Sequence, residues 1–90
     1  MKRAKHPKLI VDDINNKYGF MGLTESEKRG HHKNIPLKKN PQKGKKEKSY
    51  LRDELRYDDK KYFGEILSDY NLSDEDIQTV MKYLERKKKK

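Results

Sequence analysis

Few residues in this chain could do chemistry: one adjacent histidine pair, two adjacent aspartate pairs and a large excess of lysine. His31-His32 could supply general acid–base catalysis on RNA, or half of a metal site. Adjacent residues seldom aim two imidazoles at one ion, and the chain has no cysteine to complete a ligand set. Both histidines are therefore expected to be exposed loop residues. Asp12-Asp13 and Asp58-Asp59 could each contribute carboxylates to a metal-dependent nuclease. The first pair borders a turn signal and the second a helix-start signal, and aspartate is favoured at both for backbone reasons alone. The expectation is a protein that is not an enzyme, with no catalytic residue, no metal and no cofactor.

Two further patterns allow a bland explanation. Gly19-Phe20-Met21-Gly22 could let the backbone approach a ligand closely. It lacks a phosphate-loop pattern, though, and Phe20 is more simply a core residue. Tyr18, Tyr50 and Tyr57 could stack on bases. In a chain without tryptophan, tyrosines must also build the core.

The cationic blocks are the stronger signal. The net charge is +9, unevenly distributed. Residues 35–48 hold six lysines against one glutamate, and residues 86–90 are all Lys or Arg, while residues 49–85 are net acidic. Lys38, Lys39, Lys43, Lys45, Lys46 and Lys48 concentrate charge on one segment. Lys28, Arg29 and Lys33 precede it, and Arg86, Lys87 and Lys88 begin the tail. Lysine meets phosphate as a point charge without the two-pronged fork of arginine, so the blocks favour backbone contact over base reading. These twelve residues are the expected nucleic-acid-binding set, for DNA or RNA and with low sequence specificity. Two other functions fit the same residues. One is a protein-binding module or inhibitor, docking on a nucleic-acid-handling machine through its basic loops or an acidic helical face (Asp69, Asp74, Glu75, Asp76). The other is a small metal-independent ribonuclease using His31 or His32.

Composition limits what can position these groups. Ninety residues make one domain, and with 30% apolar and 43% charged residues its core must be thin. The absence of cysteine suits a reducing compartment. No stretch is long and apolar enough for a membrane span, and only Leu9-Ile10-Val11 follow the basic arm 1–7, too short for a secretory signal. A cytoplasmic location is expected. Heavy use of Lys, Asn, Ile and Tyr suggests an AT-rich coding sequence, as in low-GC bacteria and their mobile elements.

The local pattern predicts an α+β fold, a small antiparallel sheet packed on one face by two C-terminal helices. Residues 8–23 read as a hairpin turning at Asn15-Asn16, with Leu9, Val11, Tyr18 and Phe20 on one face and Asp12 and Lys17 opposite. Residues 24–34 read as a polar loop. Ile35-Pro36-Leu37 is an extended apolar anchor, and 38–48 a mobile Lys-rich loop. Residues 49–57 fit a third strand or a helix turn, and Tyr50 and Tyr57 favour the strand. Tyr62, Phe63, Ile66, Leu67 and Tyr70 predict a first helix, capped at Asp58 or Asp59 and closed at Asn71. Ser73 predicts the start of a second helix, with Asp76 as its capping-box partner and Leu72–Ile77 as a hydrophobic staple. Ile77, Val80, Met81 and Leu84 would form its buried stripe, and residues 86–90 the basic tail.

Overall fold

The computed structural model describes residues 1–2 and 6–88. Its architecture is α+β: an antiparallel sheet with one C-terminal helix across one face. Strands β1 (Lys8–Ile14) and β2 (Lys17–Thr24) form the expected hairpin, with Asn15 in the left-handed conformation (φ 54°) that the tight turn demands. The pairing slips between Ile10 and Asp12, a β-bulge. Leu9 consequently faces Met21, and Ile10 faces Phe20. The expected single face of Leu9, Val11, Tyr18 and Phe20 is thus divided. Leu9 and Val11 pack on the main core, while Tyr18 and Phe20 point to the other side of the sheet.

Along the other edge of β2 run β6 (Tyr50–Leu51) and β7 (Arg56–Asp59). They are the third strand expected over 49–57, broken at 52–55, where the chain steps away between Leu23↔Leu51 and Phe20↔Arg56. The anchor segment supplies β5 (Ile35–Pro36), which pairs with β6, and Leu37, which enters the core. Residues 24–34 do not form the plain loop expected of them: β3 (Lys28–Arg29) and β4 (His32–Lys33) make a small hairpin. Gly30 supplies its turn with a positive φ of 62°, where a side chain would be strained. Asn34, buried despite its polarity, ties the hairpin's base by donating from Nδ2 to the Ser26 carbonyl at 2.9 Å.

Helix α1 (Asp74–Lys88) starts where the capping signals place it. The Asp76 N–H donates to Ser73 Oγ at 3.3 Å, and Ile77 N–H to the Ser73 carbonyl at 2.9 Å. Its buried stripe is rotated from the expected one. Asp76, Val80 and Tyr83 are buried, whereas Ile77 is 42% and Met81 57% exposed. The core therefore comprises Met21, Leu37, Leu51, Val80 and Tyr83, with Leu72 and Leu84 at its margin. Burying Tyr83 has a measurable consequence. Among the described residues its hydroxyl meets no partner at hydrogen-bond geometry, and burial, reinforced by the Asp53 carboxylate, pushes its pKa up to about 12. A phenol held protonated in the fold stabilises it below the ordinary pKa of about 10, and that stability is lost as pH rises through the folded value. Tyr83→Phe is expected to be neutral or mildly stabilising at pH 7, because it removes an unpaired buried hydroxyl. It should also flatten the alkaline limb between about pH 10 and 12. Urea melts across that range would show it, and a variant with the wild-type alkaline slope would refute it.

The expected first helix is absent. After β7 comes one 3-10 turn, Lys60–Tyr62, and then irregular chain. Asp59 precedes that turn without making a side-chain cap. The stripe fails because its members are used in different places. Phe63 packs edge-on against Tyr18 and Phe20 at centroid distances of 5.2 and 5.3 Å, while Tyr62 and Ile66 are 61% and 69% exposed. The backbone groups a helix would consume go elsewhere: Leu67 N–H donates to the Met1 carbonyl at 2.8 Å, and Asn71 N–H to the Pro41 carbonyl at 2.8 Å. On the sheet face opposite α1, Phe20, Gly22 and Arg56 of the sheet line a groove together with Asn40, Gln42 and Tyr70.

Candidate nucleic-acid interface

The Lys-rich segment 38–48 has no regular secondary structure beyond turns and a single bridge, yet its backbone is tied at many points. The buried Asp76 carboxylate accepts from Lys38 N–H (2.9 and 3.1 Å), Lys39 N–H (3.2 Å) and the Ser73 hydroxyl (3.0 Å). Within the loop, Gln42 N–H donates to Asn40 Oδ1 at 2.9 Å, and Asn40 Nδ2 donates to the Glu47 carbonyl at 3.0 Å. Lys43 N–H reaches the Asp69 carbonyl at 2.7 Å. The lysines thus project from fixed backbone around one open concavity of about 740 Å³, walled by Ile35, Leu37 and Thr79. Lys38 Nζ lies 2.6 Å from Glu75 Oε2, and that bond pushes its pKa above the usual lysine value. Lys39, Lys43, Lys45, Lys46 and Lys48 line the same concavity, and among the described residues no carboxylate lies within ion-pair distance of their ammonium groups.

The β3–β4 hairpin carries the preceding cations. Lys28 stands directly across from Lys33, a like-charge pairing that costs a two-stranded ribbon stability. Arg29 stands across from His32, whose Nε2 lies 3.2 Å from the Asp53 carbonyl and 3.3 Å from Asp53 Oδ2. That contact ties the hairpin to the break at 52–55. His31 occupies the exposed turn and His32 is 62% exposed, as expected for both. Changing both to alanine is expected to leave the fold intact and to remove no activity. Nuclease assays in chelator, run beside thermal melts, check this. Loss of a nuclease activity with an unchanged melt would place a catalytic group at His31 or His32 and overturn the non-enzymatic reading.

The remaining candidates are placed as follows. Tyr57 O–H donates to Asp12 Oδ2 at 2.7 Å, which raises the phenol pKa, and its ring lies on Gly19, where a Cβ would come within 2.8 Å. Asp13 pairs with Lys60 at 2.5 Å. Asp58 and Asp59 face Tyr18 and Lys17 across β2. Among the described residues no three His, Asp or Glu side chains stand together as a metal site. Tyr18 is taken by Phe63 and by Lys60 Nζ, 5.0 Å from its centroid, while Tyr50 sits in β6 between Thr24 and Pro36. Arg86 and Lys87 are exposed on the last turn of α1, with Lys87 Nζ 5.4 Å from the Tyr83 centroid. Lys88 closes the helix, and Lys89 and Lys90 lie outside the described residues.

No protein-family model, curated protein or solved structure matches this chain.

The structure adds cations that sequence reasoning missed. Lys8, Arg52 and Arg56 line the groove on the sheet face opposite α1, and Arg29 of the hairpin joins them on its wall. Asn40, Gln42 and Ser49, from the Lys-rich segment and its edge, line the same groove. The hairpin and the loop are therefore neighbours across one surface, whereas Arg86 and Lys87 do not line it. The signal was present as Arg52 and Arg56, but it lay inside a stretch whose summed charge is acidic.

Proposed function

We propose that the protein is a non-enzymatic nucleic-acid-binding protein, gripping phosphate backbone with low sequence specificity. The observation that carries this reading is the set of five lysines on the anchored 38–48 loop that, among the described residues, have no carboxylate partner. A chain that merely needs solubility has no reason to hold like charges on fixed backbone around one concavity. A polyanion relieves that repulsion and releases counterions as it binds. The like-charged Lys28–Lys33 pair on the neighbouring hairpin supports the same reading. Arg86 to Lys90 would add a second, weaker contact. Lysine heads on a loop match phosphates and carry little geometry for reading bases, hence the low specificity. The chain has no cysteine, which suits work in the reducing cytoplasm. Titration of a duplex and a single strand at several salt concentrations tests the proposal, and no binding at low salt refutes it.

A second reading, docking on a protein partner, is favoured by Ile77 and Met81, which leave apolar area on the exposed side of an otherwise acidic helix start. Asp76 takes no part in such a face, since its carboxylate is consumed by Lys38 and Lys39. A pull-down whose catch survives nuclease treatment would favour this reading over the first.

A further inference from the structure

The groove opposite α1 is built differently from the lysine loop. It has a volume of about 510 Å³, within the range of about 300–1,000 Å³ usual for small-molecule sites. Its cations are mostly arginines, placed by the sheet itself. Lys8 stands opposite Gly22 across the β1–β2 pair, and Arg56 stands opposite Phe20 across the β2–β7 pair. Arg52 donates its N–H to the Gly22 carbonyl at 2.8 Å. Gly22 is the floor between them. A Cβ there would lie 3.4 Å from Arg52 Cγ and 3.8 Å from Lys8 Nζ, so glycine leaves the space between the two cationic side chains open.

These charges are poorly neutralised. Among the described residues Lys8, Arg29 and Arg52 have no ion-pair partner, and Arg56 Nε has only a long 3.8 Å approach to Glu54. Lys8 is half-buried with its Nζ 5.2 Å from the Phe20 centroid. Burial and then the nearby Arg56 and Arg52 push its pKa down, against a smaller opposing effect of Asp58. Crowding of this kind is what an anion would relieve. The same groove is lined by the polar Asn40 and Gln42 and by the aromatic ring of Tyr70, together with Glu25 and Glu54, of which Glu54 is the one that approaches Arg56. Guanidinium groups grip phosphate with two parallel N–H bonds, which point-charge lysines cannot do.

We infer that this groove is a nucleoside-phosphate seat, in which Lys8, Arg52 and Arg56 hold the phosphate and the base lies along Tyr70 and Gln42. The inference rests on the nucleic-acid reading above, and it assigns one nucleotide of the bound strand to a defined place. The shared chemistry also allows a free nucleotide as the source.

The test titrates the full chain with adenosine 5′-monophosphate, adenosine and a short oligonucleotide, following amide shifts by NMR. The monophosphate should shift Gly22, Arg52 and Arg56 saturably, and adenosine should not. Arg52→Gln/Arg56→Gln should weaken monophosphate binding by about tenfold or more. The Lys43, Lys45, Lys46 and Lys48 to Gln variant should leave it unchanged. Gly22→Val keeps every charge, suits a strand and fills the floor, so it should also abolish binding while melting like wild type. Oligonucleotide binding with no groove shifts from the monophosphate would overturn the seat and leave the nucleic-acid reading standing. Monophosphate binding at the groove without oligonucleotide binding would support the seat as a free-nucleotide site and refute the nucleic-acid reading. Equal monophosphate binding by wild type and both groove variants would overturn the seat.

Discussion

Asp76→Ala is expected to destabilise the protein by about 2–4 kcal/mol, the largest effect of any single substitution considered. The Asp76 side chain is 1% exposed and accepts from two loop amides and one hydroxyl. Hydrogen bonds to an ionised acceptor contribute about 1.5–3 kcal/mol each, although bonds to one carboxylate do not add independently. Removing the carboxylate leaves the Lys38 and Lys39 N–H groups facing a hole, and it takes away an anion at the positive end of α1. In a domain of this size the loss corresponds to a drop of about 10–20 °C in Tm. Asp76→Asn retains one acceptor oxygen and should lose roughly half as much. The loop and the helix share this single residue, so the loop amides of Lys38, Lys39 and Lys43 should lose hydrogen-exchange protection in Asp76→Ala before the β1–β2 amides do. A melt within about 0.5 kcal/mol of wild type would show that the carboxylate is not the clasp described here.

That clasp shows how far the sequence could be read. Ser73 and Asp76 were legible as a helix start because capping obeys rules spanning a single turn. Asp76 was expected to serve its own helix, and nothing local reveals that its oxygens also reach the backbone at 38 and 39. The same limit moved the buried stripe. Ile77 and Met81 are as apolar as Val80, but Tyr83 offers more area and Asp76 pulls its own face inward, so the helix turns until Ile77 is left outside. The β1–β2 turn was legible from Asn15-Asn16, and Gly19 and Gly22 allowed a bulge in the second arm, but its place in the first strand after Ile10 was not legible. It depends on Gly19 admitting the Tyr57 ring and on Val11 finding the core, both of which need strands elsewhere in the chain.

The helix expected over 58–70 failed for a related reason. Its apolar spacing is real, but spacing alone cannot distinguish one buried face from residues consumed separately. Phe63 serves the aromatic group on the sheet face opposite α1, and Leu67 and Asn71 give their amides to Met1 and Pro41. Gly64 and two aromatic neighbours also lower the intrinsic helix propensity of that stretch. On the site, the dense lysine blocks were legible from charge alone. The arginine groove was not, because summing charge over residues 49–85 buries Arg52 and Arg56 beneath ten carboxylates that mostly point elsewhere.

The second large effect concerns salt. If the loop lysines meet phosphates, log K for nucleic acid should fall linearly with log salt, with a slope of about −0.9 per neutralised phosphate on duplex DNA and about −0.7 on a single strand. Changing Lys43, Lys45, Lys46 and Lys48 to glutamine should flatten that slope by roughly one unit per lost contact and weaken all sequences alike. Losing three or four contacts of this kind is worth about 10²–10³ in affinity near 50 mM salt and much less near 200 mM. Stability should barely change, because among the described residues the ammonium groups of these lysines have no carboxylate partner and exposed charges contribute little to the fold. Lys38 behaves differently. Its ammonium is already bonded to Glu75, so Lys38→Gln should alter the slope by less than one unit, whereas Glu75→Gln should free that lysine and strengthen binding. The contrast between Lys38→Gln and Lys45→Gln separates a phosphate grip from a general dependence on net charge, because net charge alone would make the two losses equal. Equal losses for Lys38→Gln and Lys45→Gln would show that the anchored geometry of the loop plays no part. An unchanged slope in the quadruple variant would place the grip elsewhere on the molecule and remove the basis for a phosphate-binding loop.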